Sequence, residues 1–275
     1  MFGRGYGYAS GGTNSVPEWN SLVAKTYYEA LKVADGVLDI DSVALYSVPV
    51  ASFKFALDQM FSDLDTAGIL SKIKRFTPRL GTTLSANAIN SINPGTYNST
   101  FVNAPTVIST KGIGYDGATQ KEISNFPCNA WDDVGNFGFT FFDHSTHPLT
   151  TYMSGIYSDA GSISQFKDGL NRWLTYMNGA GYVAPSISGN SYYTFVRTGV
   201  TGYGYRNGID YDGPLVFPDS NPLTSQLMEE AGNAGGVLYY SSLISRMTVF
   251  HDYLTPSEVL TMIGVFQTFD TAINR

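Results

Sequence analysis

The spacing of apolar positions changes period along the chain. Near the start, Trp19, Leu22, Val23, Tyr27, Ala30 and Leu31 recur at helical spacing and stop near Gly36. Ser15 and Glu18 flank Pro17 in the form of a capping box, which predicts a helix over about residues 18–34. A short strand-like patch, VALYSV (43–48), follows. A second apolar stripe, Phe53, Leu57, Met60, Phe61, Leu64 and Ala67, ends at Gly68 and predicts a helix over about 53–67. The third stripe, Val259, Met262, Ile263, Phe266, Phe269 and Ile273, closes the chain. Its start is strongly marked. Thr255 is the N-cap, Pro256 fills the first helical position, Glu258 completes a capping box, and Leu254 with Val259 forms a hydrophobic staple. A helix over about 256–272 follows.

Between the second and third helices the pattern is that of short strands. IKRF, APTVIST, GFTFFDH, TYMSGIYS, SISQFKDG, RWLTYMNG, SYYTFVRT, GYGYRNG, IDYDG and VLYYSSLISRMTVF are separated by Gly, Asn, Pro or Asp. SINPGTYNST (91–100) is rich in turn residues. Asn207-Gly208, between GYGYR and IDYD, is the strongest hairpin signal, because a type I′ turn needs positive φ at both positions. The sum is a mainly β, two-sheet antiparallel jelly-roll sandwich with peripheral helices. The last helix is expected across a side or end of the sandwich, where it protects a sheet edge.

Composition agrees. Of 275 residues, 43% are hydrophobic and only 14% charged, with 29 Gly, 19 Tyr and 17 Phe; average soluble proteins carry about 25% charged residues. The net charge of −7 argues against a binder that tracks phosphates. The densest basic run, Lys72, Lys74, Arg75 and Arg79, reads as a solvated strand face. Cys128 is the sole cysteine, so an intrachain disulfide is excluded. The opening MFGRGYGYASGGTNS has no apolar core of a signal peptide, and no stretch approaches a membrane span, so neither secretion nor membrane insertion is expected. Residues 1–14 intersperse Gly with Phe2, Tyr6 and Tyr8. They read either as a flexible tail or, preferably, as an arm that orders against a neighbour.

Several landmarks in order carry a family resemblance. They are the helix FALDQMFSDLDTAGI, the strand IKRFTP, the stretch NAINSINPGTYNSTFVNAPTVISTKGIGYDG, the pair YYTFVRTG and GYGYRNGIDYD, and the ending SRMTVFHDYLTPSEVLTMIGVFQTFDTAINR. Together they resemble the laminin-G-like (concanavalin-like) jelly roll of tailed-bacteriophage structural proteins, over about residues 51–275. The resemblance implies a lectin-like body at 51–275, with 1–50 as an attachment arm and helix. Some relatives of this fold are glucanases with an E-x-D-x-x-E strand motif. None of the six glutamates here, Glu18, Glu29, Glu122, Glu229, Glu230 and Glu258, lies in that pattern. No G-x-S-x-G elbow and no phosphate-binding Gly loop occurs, so no catalytic residue is assigned.

Candidate binding residues remain. Tyr203 and Tyr205 share a strand face across Gly204, with Asn207 at the turn; Trp173, Tyr176 and Tyr192 are further candidates for stacking on a sugar. The competing role for these aromatics is filling the core or a subunit interface. Asp143, His144 and His147 in DHSTH offer metal-ligand chemistry, against the reading of a polar loop tip. Laminin-G-like domains often hold Ca²⁺ through loop carboxylates; Asp132 with Asp133, or Asp210 with Asp212, could serve, although Asp-rich turns are usually plain turns. No other cofactor is implied. Asn98-Ser-Thr has the form of a glycosylation sequon and is read as a turn.

The preferred expectation is a virion structural protein (head fibre, decoration or tail-associated subunit), made in the bacterial host cytoplasm and displayed on the particle surface. Residues 1–50 would bind other virion proteins. Phe2, Tyr6, Tyr8, Trp19, Leu22 and Tyr27 would attach the chain or form the seam of a homotrimer, and the body would contact a surface glycan. The alternatives are a free carbohydrate-binding module or adhesin, and a polysaccharide depolymerase.

Overall fold

The computed structural model describes residues 19–35, 47–108, 111–116, 119–131, 135–143, 151–158, 161–167, 173–177, 180–184, 190–210, 214–216, 227–230 and 244–275. The helices are α1 (Leu22–Asp35), α2 (Val50–Thr66), α3 (Leu84–Asn87) and α4 (Pro256–Ala272). The first half of the strands are β1 (Ile73–Thr77), β2 (Thr100–Val102), β3 (Thr106–Ile108), β4 (Gly112–Gly114), β5 (Lys121–Pro127), β6 (Asn136–Asp143), β7 (Thr151–Ser158) and β8 (Gly161–Lys167). They continue as β9 (Trp173–Met177), β10 (Ala180–Ala184), β11 (Ser191–Thr198), β12 (Thr201–Arg206), β13 (Ile209–Asp210), β14 (Leu215–Val216), β15 (Leu227–Glu230) and β16 (Ile244–Asp252).

Among the described residues the strands form two antiparallel sheets. One has nine strands in the order β13-β12-β11-β6-β16-β4-β3, with β1 also on β16 and β14 on β12. The other has seven, ordered β10-β9-β8-β7-β15-β5-β2. The mainly β, two-sheet sandwich expected from the sequence is the fold observed.

The centre of the larger sheet is buried on both faces. Phe139 pairs with Phe195 on β11 and with Phe250 on β16. Strand alternation sends Phe137, Phe139, Phe195 and Phe250 toward the second sheet. There Phe126 of β5 meets Phe250 at 5.1 Å and Trp131 at 5.0 Å. Phe142, Tyr192, Val196, Met247 and Val249 join the opposite core, which they share with α1, α2 and α4. The whole of β11 apart from Thr198 is buried, and its two apolar pairs, Tyr192-Tyr193 and Phe195-Val196, supply a side chain to each face.

A sheet with two apolar faces needs a layer on each. The helices supply the second one. Phe76 of β1 lies 5.1 Å from Phe266 of α4 and 5.9 Å from Phe61 of α2. The closing helix therefore lies flat on a sheet face beside α2, rather than across a sandwich edge. Its predicted start is as expected: Thr255 and Glu258 form the capping box, and Leu254 and Val259 are buried. Its end is held by Asp270, which accepts from Tyr192 at 2.6 Å and from Arg246 at 3.1 Å. Arg275 donates to the carbonyl oxygens of Pro78, Arg79 and Arg246.

α1 belongs to the same core. Tyr27 is fully buried and meets Phe61 at 6.5 Å, while Asp58 of α2 accepts from the Ser21 amide at 2.8 Å. At the other end, Asp35 accepts from the Thr83 hydroxyl at 3.0 Å. The boundary expected after residue 50 thus passes through one packed core. Tyr27, expected at a subunit seam, is enclosed within its own chain. Trp19 packs on Tyr28 at 5.5 Å, and Leu22 stays 76% exposed. Ser15, Glu18, Phe2, Tyr6 and Tyr8 lie outside the described residues.

One position between β6 and β16 has no room for a side chain. His251 is fully buried, donates from Nδ1 to the Asp252 carbonyl at 2.7 Å, and meets the Thr140 hydroxyl through Nε2 at 3.3 Å. A Cβ on Gly138 would lie 2.3 Å from the His251 ring and 2.6 Å from the Phe195 carbonyl oxygen. Gly138→Ala is expected to lower the unfolding free energy by about 1–3 kcal/mol. Gly264→Ala in α4, where a Cβ meets nothing within 4 Å, should raise it by about 0.5–1 kcal/mol. Urea denaturation of the two variants checks the contrast.

Candidate functional site

Two clusters of polar side chains compete for a functional role. The first sits between the sheets. Inward alternation along β5 buries Glu122, Ser124 and Phe126. Glu122 receives the guanidinium groups of Arg79 and of Arg75, the latter at 3.1 Å, and hydroxyl bonds from Ser99 and from Tyr115 at 2.8 Å. Arg75 also donates to the Tyr97 carbonyl at 3.0 Å, and Arg79 to that of Asn87 at 2.9 Å. Their outer faces lie over the Phe250 and Phe101 rings. Arg75 and Glu122 are 0% exposed and Arg79 is 1%. The solvated basic face expected over Lys72, Lys74, Arg75 and Arg79 is therefore corrected at its two arginines. Lys72 pairs with Glu258 and Lys74 with Asp252 at the surface side of the same strand region.

Burial alone would push the Glu122 carboxyl up. The charges of Arg79 and Arg75 outweigh it, with hydrogen bonds from Arg79 and Ser99, and hold the group at about 2. A carboxylate that is ionised, fully paired and sealed from solvent cannot meet a polysaccharide or donate a proton to one. Its role is to join β1 of one sheet to β5 of the other.

The second cluster is at the β12 end of the larger sheet. Asn207 and Gly208, with φ of +52° and +80°, close the two-residue hairpin from β12 to β13 as the sequence predicts. The turn is stapled to β11: the Asn207 side-chain oxygen accepts from the Tyr192 amide at 2.9 Å, and the Asn207 amide donates to the Tyr192 carbonyl at 2.8 Å. Tyr203 and Tyr205 do share a face, but it is the face under the helices. Tyr205 is 1% exposed and Tyr192 2%, so neither offers a ring to solvent. Tyr192 instead serves the Asp270 carboxylate. Tyr203 remains half-buried at the margin of this core.

Tyr253 completes the cluster. It lies between β16 and the α4 cap, half-buried, and had no signal in the apolar periodicity because it belongs to neither element. The buried Tyr205 hydroxyl has no hydrogen-bond partner among the described residues. Burial raises its pKa most, followed by the charge of Asp210 and the hydroxyls of Tyr253 and Tyr203. Asp210 is exposed and stands opposite Tyr205 in the β12–β13 register. The result is a buried donor beneath a margin of two half-buried tyrosines and one carboxylate. The two half-buried tyrosines and the carboxylate of this margin can stack on and hydrogen-bond to a polyhydroxylated ligand.

The remaining candidates are not gathered there. Trp173 and Tyr176 are three residues apart on β9, in register with Lys167 and Ser164 of β8 respectively; their side chains lie outside the described set. Asp143 ends β6 with its side chain outside that set, and His144, His147, Asp132, Asp133 and Asp212 lie outside the described residues altogether. Among the described residues no group of three or more His, Cys, Asp or Glu could hold a metal. No described helix is long and apolar enough to cross a membrane. Asn98 organises a turn, its side-chain oxygen accepting from the Asn90 and Gly95 amides at 2.8 and 3.3 Å.

No protein-family model matches the chain, and no curated protein does. Solved structures with a similar fold include a mutant of Trypanosoma rangeli sialidase displaying trans-sialidase activity. It has 12% identity and a TM-score of 0.57, over 80% of this chain and 38% of that one. Trypanosoma rangeli sialidase itself matches with 12% identity and a TM-score of 0.53, over 87% and 38%. Domain 4 of a GH43 extracellular arabinanase from Geobacillus stearothermophilus, in complex with arabinotriose, matches with 14% identity and a TM-score of 0.46, over 70% and 98%. The chain thus matches 38% of the length of these sialidases. At such identities the likeness concerns the fold, a β-sandwich.

Two buried groups set the response to acid. Burial pulls His251 down from 6.5 to about 4, only partly offset by its bond to the Asp252 carbonyl. Its unfolded form binds the proton more readily, so its contribution is present above about 6.5 and is lost as pH falls toward 4. Glu122 falls from 4.5 to about 2, so its contribution is present above 4.5 and is lost as pH falls through 2. Urea denaturation from pH 8 to pH 2 should show both losses. Glu122→Gln should remove the lower one and cost about 3–5 kcal/mol at pH 7, because two buried arginines lose their counter-charge.

Proposed function

We propose that this chain is a non-catalytic glycan-binding sandwich displayed as a structural subunit of a tailed-phage particle. The observation that carries the binding part is the margin at which the half-buried Tyr203 and Tyr253 lie beside the exposed Asp210. Tyr203 and Tyr253 keep part of their rings at the surface, and a sugar's C–H face suits an aromatic ring. Asp210 accepts from further sugar hydroxyls and disfavours an acidic sugar. The ligand class is therefore a neutral oligosaccharide. The likeness in fold to sialidases is consistent with a glycan-related role. The non-catalytic assignment is supported by the sealed environment of Glu122.

The virion part rests on the sequence resemblance of 51–275, above all on the strand, capping box and amphipathic helix that close the chain. Attachment would then fall to residues 1–18 and the exposed apolar positions of α1, Leu22 and Val33. One observation favours the second reading, a free carbohydrate-binding module: α1 buries Tyr27 and Leu31 within its own chain, so its packing requires no neighbouring subunit.

Titration with a panel of neutral and sialylated oligosaccharides, followed by NMR shifts, tests the binding part. Neutral ligands should shift residues of β12, β13 and the segment around Tyr253. Tyr203→Ala should weaken binding by about tenfold, the loss of one ring contact worth roughly 1.4 kcal/mol. Binding confined to sialylated ligands, or shifts elsewhere, would contradict the site. Mass spectrometry of purified phage particles separates the two settings: the chain is a stoichiometric particle component under the first reading and absent under the second.

A further inference from the structure

The helix layer carries a groove that neither the core nor the tyrosine cluster uses. It runs between α2 and the C-terminal half of α4, with a volume of about 560 Å³. Its floor is Ala56, Met60 and Phe269, all buried. Phe55 stands on its wall, 54% exposed. Ala51 and Ala272 keep it open, since neither side chain extends past Cβ. The polar rim includes Asp63, whose carboxylate accepts from Gln59 at 2.7 Å. The glycan cluster touches the other end of α4, where Gly208 approaches Leu260.

The chain enters the described fold beside this groove. Asn20 and Ser21 donate to the Asp58 carboxylate at 2.8–3.2 Å. Asp58 follows Phe55 by three positions and Ala51 by seven, so it lies next to the groove wall on the α2 surface. Residues 1–18, upstream of this anchor, reach up to about 60 Å if extended, against roughly 25 Å for the whole of α2. They carry Met1, Phe2, Tyr6 and Tyr8, separated by glycines that let alternate aromatics point the same way. Arg4 and Glu18 are the charged side chains of residues 1–18; Glu18 lies at the end next to the Asn20–Ser21 anchor, and the sign of Arg4, near the far end, complements Asp63 on the rim.

We infer that residues 1–18 dock their aromatic side chains in the α2–α4 groove of their own chain. Phe2, Tyr6 and Tyr8 cover Phe55, Met60 and Phe269, and Arg4 faces Asp63. Attachment to a particle or to a sister subunit then requires this segment to leave its seat, so the groove holds the arm in reserve. The inference stands apart from the glycan reading, because it uses neither the tyrosine cluster nor a sugar.

A cysteine reporter at the exposed rim tests it in the full-length chain. Thr268→Cys is labelled with a maleimide, and modification of that peptide is followed by mass spectrometry, which separates it from Cys128. The comparison is the same protein carrying Phe2→Ser, Tyr6→Ser and Tyr8→Ser. Labelling of the intact arm should be slower by about tenfold or more, corresponding to a closed state favoured by that factor. The ratio should not change on dilution. Equal rates would overturn the proposal. A ratio that disappears on dilution would overturn it too, by showing that a second copy supplies the arm. The conservative set Phe2→Leu, Tyr6→Phe and Tyr8→Phe should keep most of the protection, which a nonspecific effect of the serines on folding would not restore.

Discussion

A single buried carboxylate, Glu122, is shared by two buried guanidinium groups, and the two sheets meet through it. Removing three charges from water is costly, and their mutual attraction offsets that cost only when every oxygen is well bonded. Here both carboxylate oxygens are occupied: Arg75 and Ser99 serve one, Arg79 and Tyr115 the other. The donors come from β1, from the segment after it, from the approach to β2 and from the end of β4. A shift of either sheet would strand a charge in an apolar surrounding that includes Phe126 and Phe250. The cluster therefore fixes how the sheets register, beyond what the non-directional packing of aromatic rings could do.

That registration leaves the nine-stranded sheet with apolar side chains on both sides. The second sheet covers one of them. α1, α2 and α4 cover the other, so the helices form a third layer, continuous with the core from Tyr27 to Phe266. Once both faces are covered, a ligand can meet this sheet only at its margins. The β12–β13 hairpin is such a margin, and it is where half-buried tyrosines and an exposed carboxylate accumulate. The proposed binding at this edge is compatible with the burial of Glu122 between the sheets.

Local signals in the sequence were reliable. The capping box at Thr255, the Asn207-Gly208 turn and the stripes of α2 and α4 all depend on residues within a few positions of one another. Long-range events were opaque. Arg75 and Arg79 follow two surface lysines and look like part of a solvated run; their burial is decided by Glu122, over forty positions away. The strand KEISNFP hides its role because its inward positions include a glutamate and a serine. Tyr205 shows a different limit. Alternation correctly placed it on one face with Tyr203, yet alternation cannot say which face is wet when both are covered. Tyr27 failed for the same reason, since an apolar stripe predicts burial without naming its partner. The described residues leave His144, His147 and the arm aromatics outside this comparison.

The dependence of the fold on a shared charge is tested most directly by a double-mutant cycle between Glu122→Gln and Arg79→Met, read by urea denaturation at neutral pH. If the carboxylate joins the sheets as described, Glu122→Gln strands two guanidinium groups, and Arg79→Met takes from one carboxylate oxygen its charged donor. The double variant should then lose at least about 2 kcal/mol less than the two losses added together. Losses that add to within about 0.5 kcal/mol would show two independent residues, and the electrostatic joint between the sheets would have to be abandoned.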